Sequence, residues 1–139
     1  MTPVEMLRDK LINDPDVSAL VGDRVYADIP PQGEDTEFPF VVLTVEDGIA
    51  EDCLDGPTGF FSDTVGMDIY SMSRIESLDV WKKCWSVLVG YSDHNSVTIL
   101  DSVTQDTSIV WTHYRLDDSS DSKVVRRCSQ NLQVNYSFK

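Results

Sequence analysis

Few residues in this 139-residue chain are of types that could do chemistry, and their spacing is poor for it. The two imidazoles are His94, within Ser92-Asp93-His94-Asn95 after a helical stretch, and His113, near Trp111 in a strand-like segment. The three thiols, Cys53, Cys84 and Cys128, are odd in number and far apart in sequence. They make neither a zinc quartet nor a disulfide framework, and are expected to be reduced. A cysteine nucleophile needs a histidine close in space and surroundings that favour the thiolate. Cys84 falls on an apolar helix face instead, where a structural thiol is expected. There is no His-Glu-x-x-His, no Gly-x-Ser-x-Gly and no glycine-rich phosphate loop. Asp63-Thr64-Val65-Gly66 has the look of an aspartic-protease triplet, but its side chains alternate along a strand. Asp117, Ser119 and Asp121 start with calcium-loop spacing, yet the turn glycine is missing and Cys128 stands where the closing glutamate belongs. Asn135-Tyr136-Ser137 reads as an incidental glycosylation sequon inside a strand. The expectation is a protein that is no enzyme. It should have no catalytic, cofactor-binding or metal-ligating residue, hold no cofactor, and work by binding other proteins.

The elements that would position any binding surface can be read in order. Thr2, Pro3 and Glu5 form a capping box with proline at the first helical position, and Val4, Leu7 and Leu11 follow at helical spacing. Asn13-Asp14-Pro15 should end that helix, and a short second one should stop at Gly22. Arg24 to Ala27 reads as a short strand, and 30–37 as a loop. Phe38 to Val45 is a nearly continuous apolar run that suits a strand covered on both faces. Residues 46–59, acidic and ending in Gly56-Pro57-Thr58-Gly59, read as a second loop. Phe61, Val65, Met67 and Ile69 then alternate with Thr64, Gly66, Asp68 and Tyr70. Ser73 to Val89 is the strongest helix, with a capping box from Ser73 and Glu76 and a C-terminal Gly90. It carries one apolar stripe of Ile75, Leu78, Trp81, Trp85 and Leu88, and a second of Val80, Cys84 and Val87. So much apolar circumference implies wide burial or a partner. The tryptophans are expected in the core, with an interface role as the sharper alternative. Strands near 97–103, 109–116 and 124–138 complete the chain, with a polar turn at 117–122. The sum is a single α+β domain over 1–139: a mainly antiparallel sheet of about five strands with two main helices packed on one face.

Charge is the unusual feature. Eleven Lys and Arg stand against 24 Asp and Glu, for a net charge of −13. Between Arg24 and Arg74 there is no basic residue at all, while the same interval holds eleven acids. Such a field repels phosphate, which argues against nonspecific nucleic-acid binding. It suits a solvated face, a basic partner, or a surface past which DNA must slide. No segment approaches the roughly 20 apolar residues of a membrane span, and no secretory signal is expected at the N-terminus.

Three stretches together resemble the tail terminator, or tail-completion, proteins of long-tailed bacteriophages. The first runs from Leu7-x3-Leu11 and Asp14-Pro15 through Val17-Ser18-Ala19-Leu20-Val21-Gly22-Asp23-Arg24-Val25-Tyr26 to Pro31-Gln32-Gly33 and Phe38-Pro39-Phe40-Val41-Val42. The second is Val65-Gly66-Met67-Asp68-Ile69-Tyr70-Ser71 with the helix that follows it to Leu88 and Gly90. The third is the closing Leu132-Gln133-Val134-Asn135-Tyr136-Ser137-Phe138.

The resemblance implies a structural virion protein at the head-proximal end of the tail, assembled in the host cytoplasm. It implies a hexameric ring that caps the tail tube, stops its polymerisation and joins the tail to the head. The partners implied are other copies of the chain, the tail tube protein and a neck or connector protein. DNA would pass through the lumen without specific binding, and no membrane is involved. A negative lumen would not hold passing phosphates, so neutralising Asp52 and Asp55 should disturb ejection if residues 46–59 line it. The alternatives are a neck or head-tail connector component, an acidic DNA mimic that blocks a nuclease, and a small hydrolase. The exposed tips are the candidate contact residues: Gln32, Glu34, Asp35 and Glu37; Asp52, Leu54, Asp55 and Phe60; and Asp117, Asp118 and Asp121.

Overall fold

The computed structural model describes residues 2–28, 37–53, 56–94, 98–105, 109–115 and 124–138, by backbone alone at 49–53, 56–58 and 113–115. The chain opens with α1 (Pro3–Asn13) and α2 (Pro15–Val21). The expected capping box is formed: the Glu5 amide donates to Thr2 Oγ1 at 3.4 Å, and the Thr2 amide donates to Glu5 Oε2 at 2.8 Å. That backbone bond holds the Glu5 carboxyl below the usual carboxylate range. Asp14 joins the two helices. Its amide closes α1 on the Leu11 carbonyl, while its Oδ1 accepts the Asp16 and Val17 amides and starts α2. Gly22 ends α2 at a φ of 61°, in the region open to glycine.

Seven strands follow: β1 (Val25–Ala27), β2 (Phe40–Cys53), β3 (Gly56–Ser71), β4 (Asp93–His94), β5 (Thr98–Gln105), β6 (Val110–Arg115) and β7 (Val124–Phe138), with α3 (Arg74–Leu88) between β3 and β4. The sheet order is β1-β2-β3-β7-β5-β4, and β6 also pairs with β7. Only β1 and β2 run parallel. Five strands are long and two are stubs, so the mainly antiparallel α+β reading stands, with α2 and β1 where the short helix and short strand were expected and β4 added. His94, expected in a loop, lies in the stub that pairs with β5.

The largest departure is at 46–59, where acids and glycines suggested a loop. The chain is instead a long hairpin, with β2 extended to Cys53 and β3 starting at Gly56. Backbone pairing across two strands outweighs the weak strand propensity of acids that can stay solvated. The register slips between Val45 and Asp47, so Glu46 is a bulge, and slips again between Ala50 and Asp52.

The three helices pack on one face of the sheet. Leu7, Leu11, Val17, Val21, Val80, Cys84 and Leu88 meet Leu43, Val65, Met67, Ile69, Leu132 and Val134, all essentially without solvent contact. Each such side chain contributes about 1.5–3 kcal/mol through burial.

α3 turns a different face inward than its first apolar stripe suggested. Ser77, Val80, Cys84 and Leu88 are buried, whereas Ile75 is 75% exposed. Small side chains let the helix approach the sheet. The bulky indoles stay at its margin, where Trp81 Nε1 donates to Gln130 Oε1 at 2.9 Å and Trp85 Nε1 to Gln105 Oε1 at 2.7 Å. The capping box expected from Ser73 and Glu76 does not form, since the Ser73 side chain makes no cap bond. The buried Ser71 hydroxyl, at the end of β3, takes its place by donating to Glu76 Oε1 at 2.8 Å and accepting the Ser73 amide at 3.1 Å.

Candidate functional site

Two of the residues that could have done chemistry, Cys84 and Cys128, are kept inert. Burial pushes the Cys84 thiol up to about 12, with Asp14 and Cys128 adding to it. Burial, with Asp68 nearby, does the same to Cys128. Both thiols are therefore protonated near neutral pH and weak nucleophiles. Among the described residues no group of three His, Cys, Asp or Glu could hold a metal ion. No described helix is long and apolar enough to cross a membrane. Asp63 lies in β3 as the alternation required, and accepts a hydrogen bond from Tyr136. Burial and that bond push the phenol up to about 12. Asp93 accepts the Tyr91 hydroxyl at 2.7 Å, and Lys10 lies 5.2 Å from the centre of the same ring. These are local ties that fasten α1 to the segment after α3.

The arrangement that can bind is a surface, and the sheet supplies two parts of it. The first is the β2–β3 arm. β3 pairs with β7 only from Phe60 to Ser71, whereas Gly56 and Pro57 pair with β2 alone and carry the hairpin past the body of the sheet. β1 covers the outer edge of β2 only from Val41 to Leu43. Among the described residues no strand pairs with that edge beyond it. Past β1, β2 carries Val45, 47% exposed, on the face toward the helices, and the exposed Glu46 and Asp47 on the opposite face. At the root of the arm Phe60 is 52% exposed, and Phe61 stacks on Tyr136 and leans on Phe138, each at 5.4 Å between ring centres. Asp101 and Asn135 complete a shallow cleft with Phe60, Phe61 and Tyr136.

The second part is the flank of α3 that faces β5 and β6. Arg74 sits 4.9 Å from the centre of the Trp111 ring, and Trp85 is 36% exposed. With Ile75 and the half-buried Leu78 and Trp81 they make an apolar strip that includes the exposed Lys82.

On the face away from the helices the sheet is closed differently. Phe40 and Val42 are buried, and Phe40 stacks on Tyr70 at 4.9 Å. Arg127 Nη2 meets Asp68 Oδ2 at 3.1 Å. Beyond this pair Glu46 reaches over Gly66, and a ladder of neutral polar side chains follows. Ser62 donates to Asn135 Oδ1 at 2.8 Å, Asn135 Nδ2 donates to Ser102 at 2.9 Å, and Gln133 bonds to Ser62.

Of the contact residues suggested by sequence, three can be placed. Phe60 stands exposed at the root of the arm. Asp52 lies near the far end of β2, opposite Pro57. Glu37 lies before the other end of β2, where its Oε2 meets Arg24 Nη1 at 3.3 Å. At about 3.3 Å per residue the length of β2 separates Glu37 from Asp52 by tens of ångströms, so these two do not share one site. Gln32, Glu34, Asp35, Leu54, Asp55, Asp117, Asp118 and Asp121 lie outside the described residues. Sequence reasoning raised an interface role for Trp81 and Trp85 only as the alternative to the core, and did not name Arg74, Ile75 and Lys82 as contact residues. The signal was present as two competing apolar stripes on one helix, only one of which a single sheet can cover.

No protein-family model matches the sequence, and no curated protein matches it. Among solved structures, a chain of the virion of a native gene transfer agent particle matches with a TM-score of 0.72 at 17% identity, over 99% of this chain and 99% of that one. At that identity the likeness establishes a shared fold, spanning both chains nearly end to end.

Proposed function

We propose that this chain is a structural protein of phage-type virions, and within them a tail terminator. It forms a ring on the head-proximal end of the tail tube, stops the tube from growing and gives the head a surface to join. The observation that carries the reading is the near end-to-end fold likeness to a virion chain. The sequence resemblance to tail terminators points to the same class of protein from independent features. The charge fits as well: a ring of copies, each at −13 and without a basic residue between Arg24 and Arg74, would repel the phosphates of DNA passing through it.

Electron microscopy of lysates from a virus lacking this gene tests the assignment. Overlong tubes without heads are expected. Tails of normal length that fail to join heads would move the protein to the neck. Intact infectious particles would end both structural readings and leave the acidic decoy.

A further inference from the structure

The shallow cleft at the root of the arm, about 390 Å³, is lined by Phe60, Phe61, Asp101, Asn135 and Tyr136. Three of these are aromatic and one is a carboxylate, and among the described residues no base lines it. Two other acids at this end of the sheet are tied to the chain itself. Asp63 accepts the Tyr136 hydroxyl, and Asp93 accepts the Tyr91 hydroxyl and the His94 amide, each at 2.7 Å. Asp101 differs from both: among the described residues it forms no ion pair, and its carboxylate accepts no hydrogen bond. Asn135 does not compete for it, since its Oδ1 accepts from Ser62 and its Nδ2 donates to Ser102.

A bulge puts Asp101 there. The register against β7 slips between Leu100 and Ser102, so Asp101 is the extra residue. Thr98, Leu100 and Val103 stay buried on either side of it, while Asp101 stands exposed. The result is a carboxylate without a partner delivered to a cleft of aromatic residues. That pair of features selects a guanidinium, which lays its flat face on a ring and donates two parallel bonds to a carboxylate from its edge. An anion is repelled by Asp101, and an apolar side chain would bury that carboxylate unpaired. The fold already uses the combination once. Arg127 lies 5.9 Å from the centre of the Tyr70 ring and meets Asp68 at 3.1 Å. At Phe60 and Asp101 the ring and the carboxylate recur, in a stretch of chain with no base between Arg24 and Arg74 and a net charge of −13 that draws cations in.

We propose that this cleft takes an arginine side chain presented by a partner protein. One side chain is a weak ligand, and the surrounding contact with the partner supplies the remaining affinity. The site belongs to the single chain and holds whether or not the terminator reading does.

The probe is the peptide acetyl-Gly-Arg-Gly-amide, titrated into the purified full-length chain and followed by backbone amide chemical shifts. The salt is about 0.1 M, where charges more than roughly 10 Å apart are largely screened. The same peptide with citrulline for arginine is the neutral control. Saturating shifts at Phe60, Asp101 and Tyr136 are expected with arginine and absent with citrulline. Asp101→Asn should weaken binding about fivefold, and Phe60→Leu about threefold. Asp47→Asn removes the same charge opposite Thr64, more than a screening length along β3 from Phe60, and should change binding less than about twofold. All three positions are exposed, and unchanged shifts elsewhere confirm that the variants fold. Equal weakening by Asp101→Asn and Asp47→Asn, equal binding of the citrulline peptide, or unsaturated shifts scattered over the acidic surface overturn the site. Shifts at the cleft on concentrating the chain without peptide would make a second copy the occupant and overturn the partner. None of these outcomes alters the tube-length test of the terminator reading.

Discussion

The two halves of β3 differ in what stands behind them. From Thr64 to Ser71 the strand lies between β2 and β7 under α3, and Val65, Met67 and Ile69 have no solvent contact. From Gly56 to Asp63 it emerges into the arm, loses β7 beyond Phe60, and presents Phe60 to solvent. One continuous strand thus serves as the centre of the core and as the stem of a contact surface. The lesson is a division of labour along a single element. Substitutions in the first half should act on stability, and those in the second on assembly.

The largest effect should come from the core half. Met67→Ala removes a fully buried side chain beneath the helices and should cost about 2–5 kcal/mol in denaturant unfolding. A cost equal to that of an arm substitution would break the comparison. Asp68→Asn, on the opposite face of the same half, leaves Arg127 without its carboxylate at a partly buried site. It should cost about 1–3 kcal/mol, read as a lowered melting temperature. A smaller, pH-dependent effect is expected at Glu5, outside the strand. Its folded carboxyl is held below its usual value, so its contribution is present above the unfolded carboxylate range and lost as pH falls through the folded value. The stability gap between the native chain and Glu5→Ala should therefore close on acidification, which melts across a pH series would read. The smallest stability effect should be in the arm. Phe60→Ser removes a half-buried ring and should cost about 1 kcal/mol, well below Met67→Ala, while impairing the yield of joined particles. A large loss of stability there would assign Phe60 to the core.

Much of the fold was legible because local signals agreed with each other. The capping box at Thr2, the Asp14-Pro15 junction, Gly22, and the alternation through Val65, Met67 and Ile69 each required one structure, and each formed. The hairpin at 46–59 was not legible, because acids and glycines carry turn signals whose override depends on a partner strand distant from any local window. The inward face of α3 was only partly legible, since two stripes competed and the buried set takes Val80 and Cys84 from one and Leu88 from the other. Hydrophobicity ranks Trp and Ile above Ser and Cys, but close approach to a sheet favours the small side chains, and the indoles can bond at the margin through Gln105 and Gln130. The cap at Ser71 shows the same limit. The residue that starts the helix belongs to the preceding strand, and its role depends on tertiary placement. For the contact surface, the sequence marked Phe60 and the acidic stretch. The exposed flank of α3 appears only once the sheet decides which side of that helix it covers.

The position of the protein in assembled particles tests the central claim most directly. Antibody labelling of intact virions, viewed by electron microscopy, should place the label at the junction of tail and head and nowhere else. Label along the tube, at the distal tip or over the head would contradict a tail terminator.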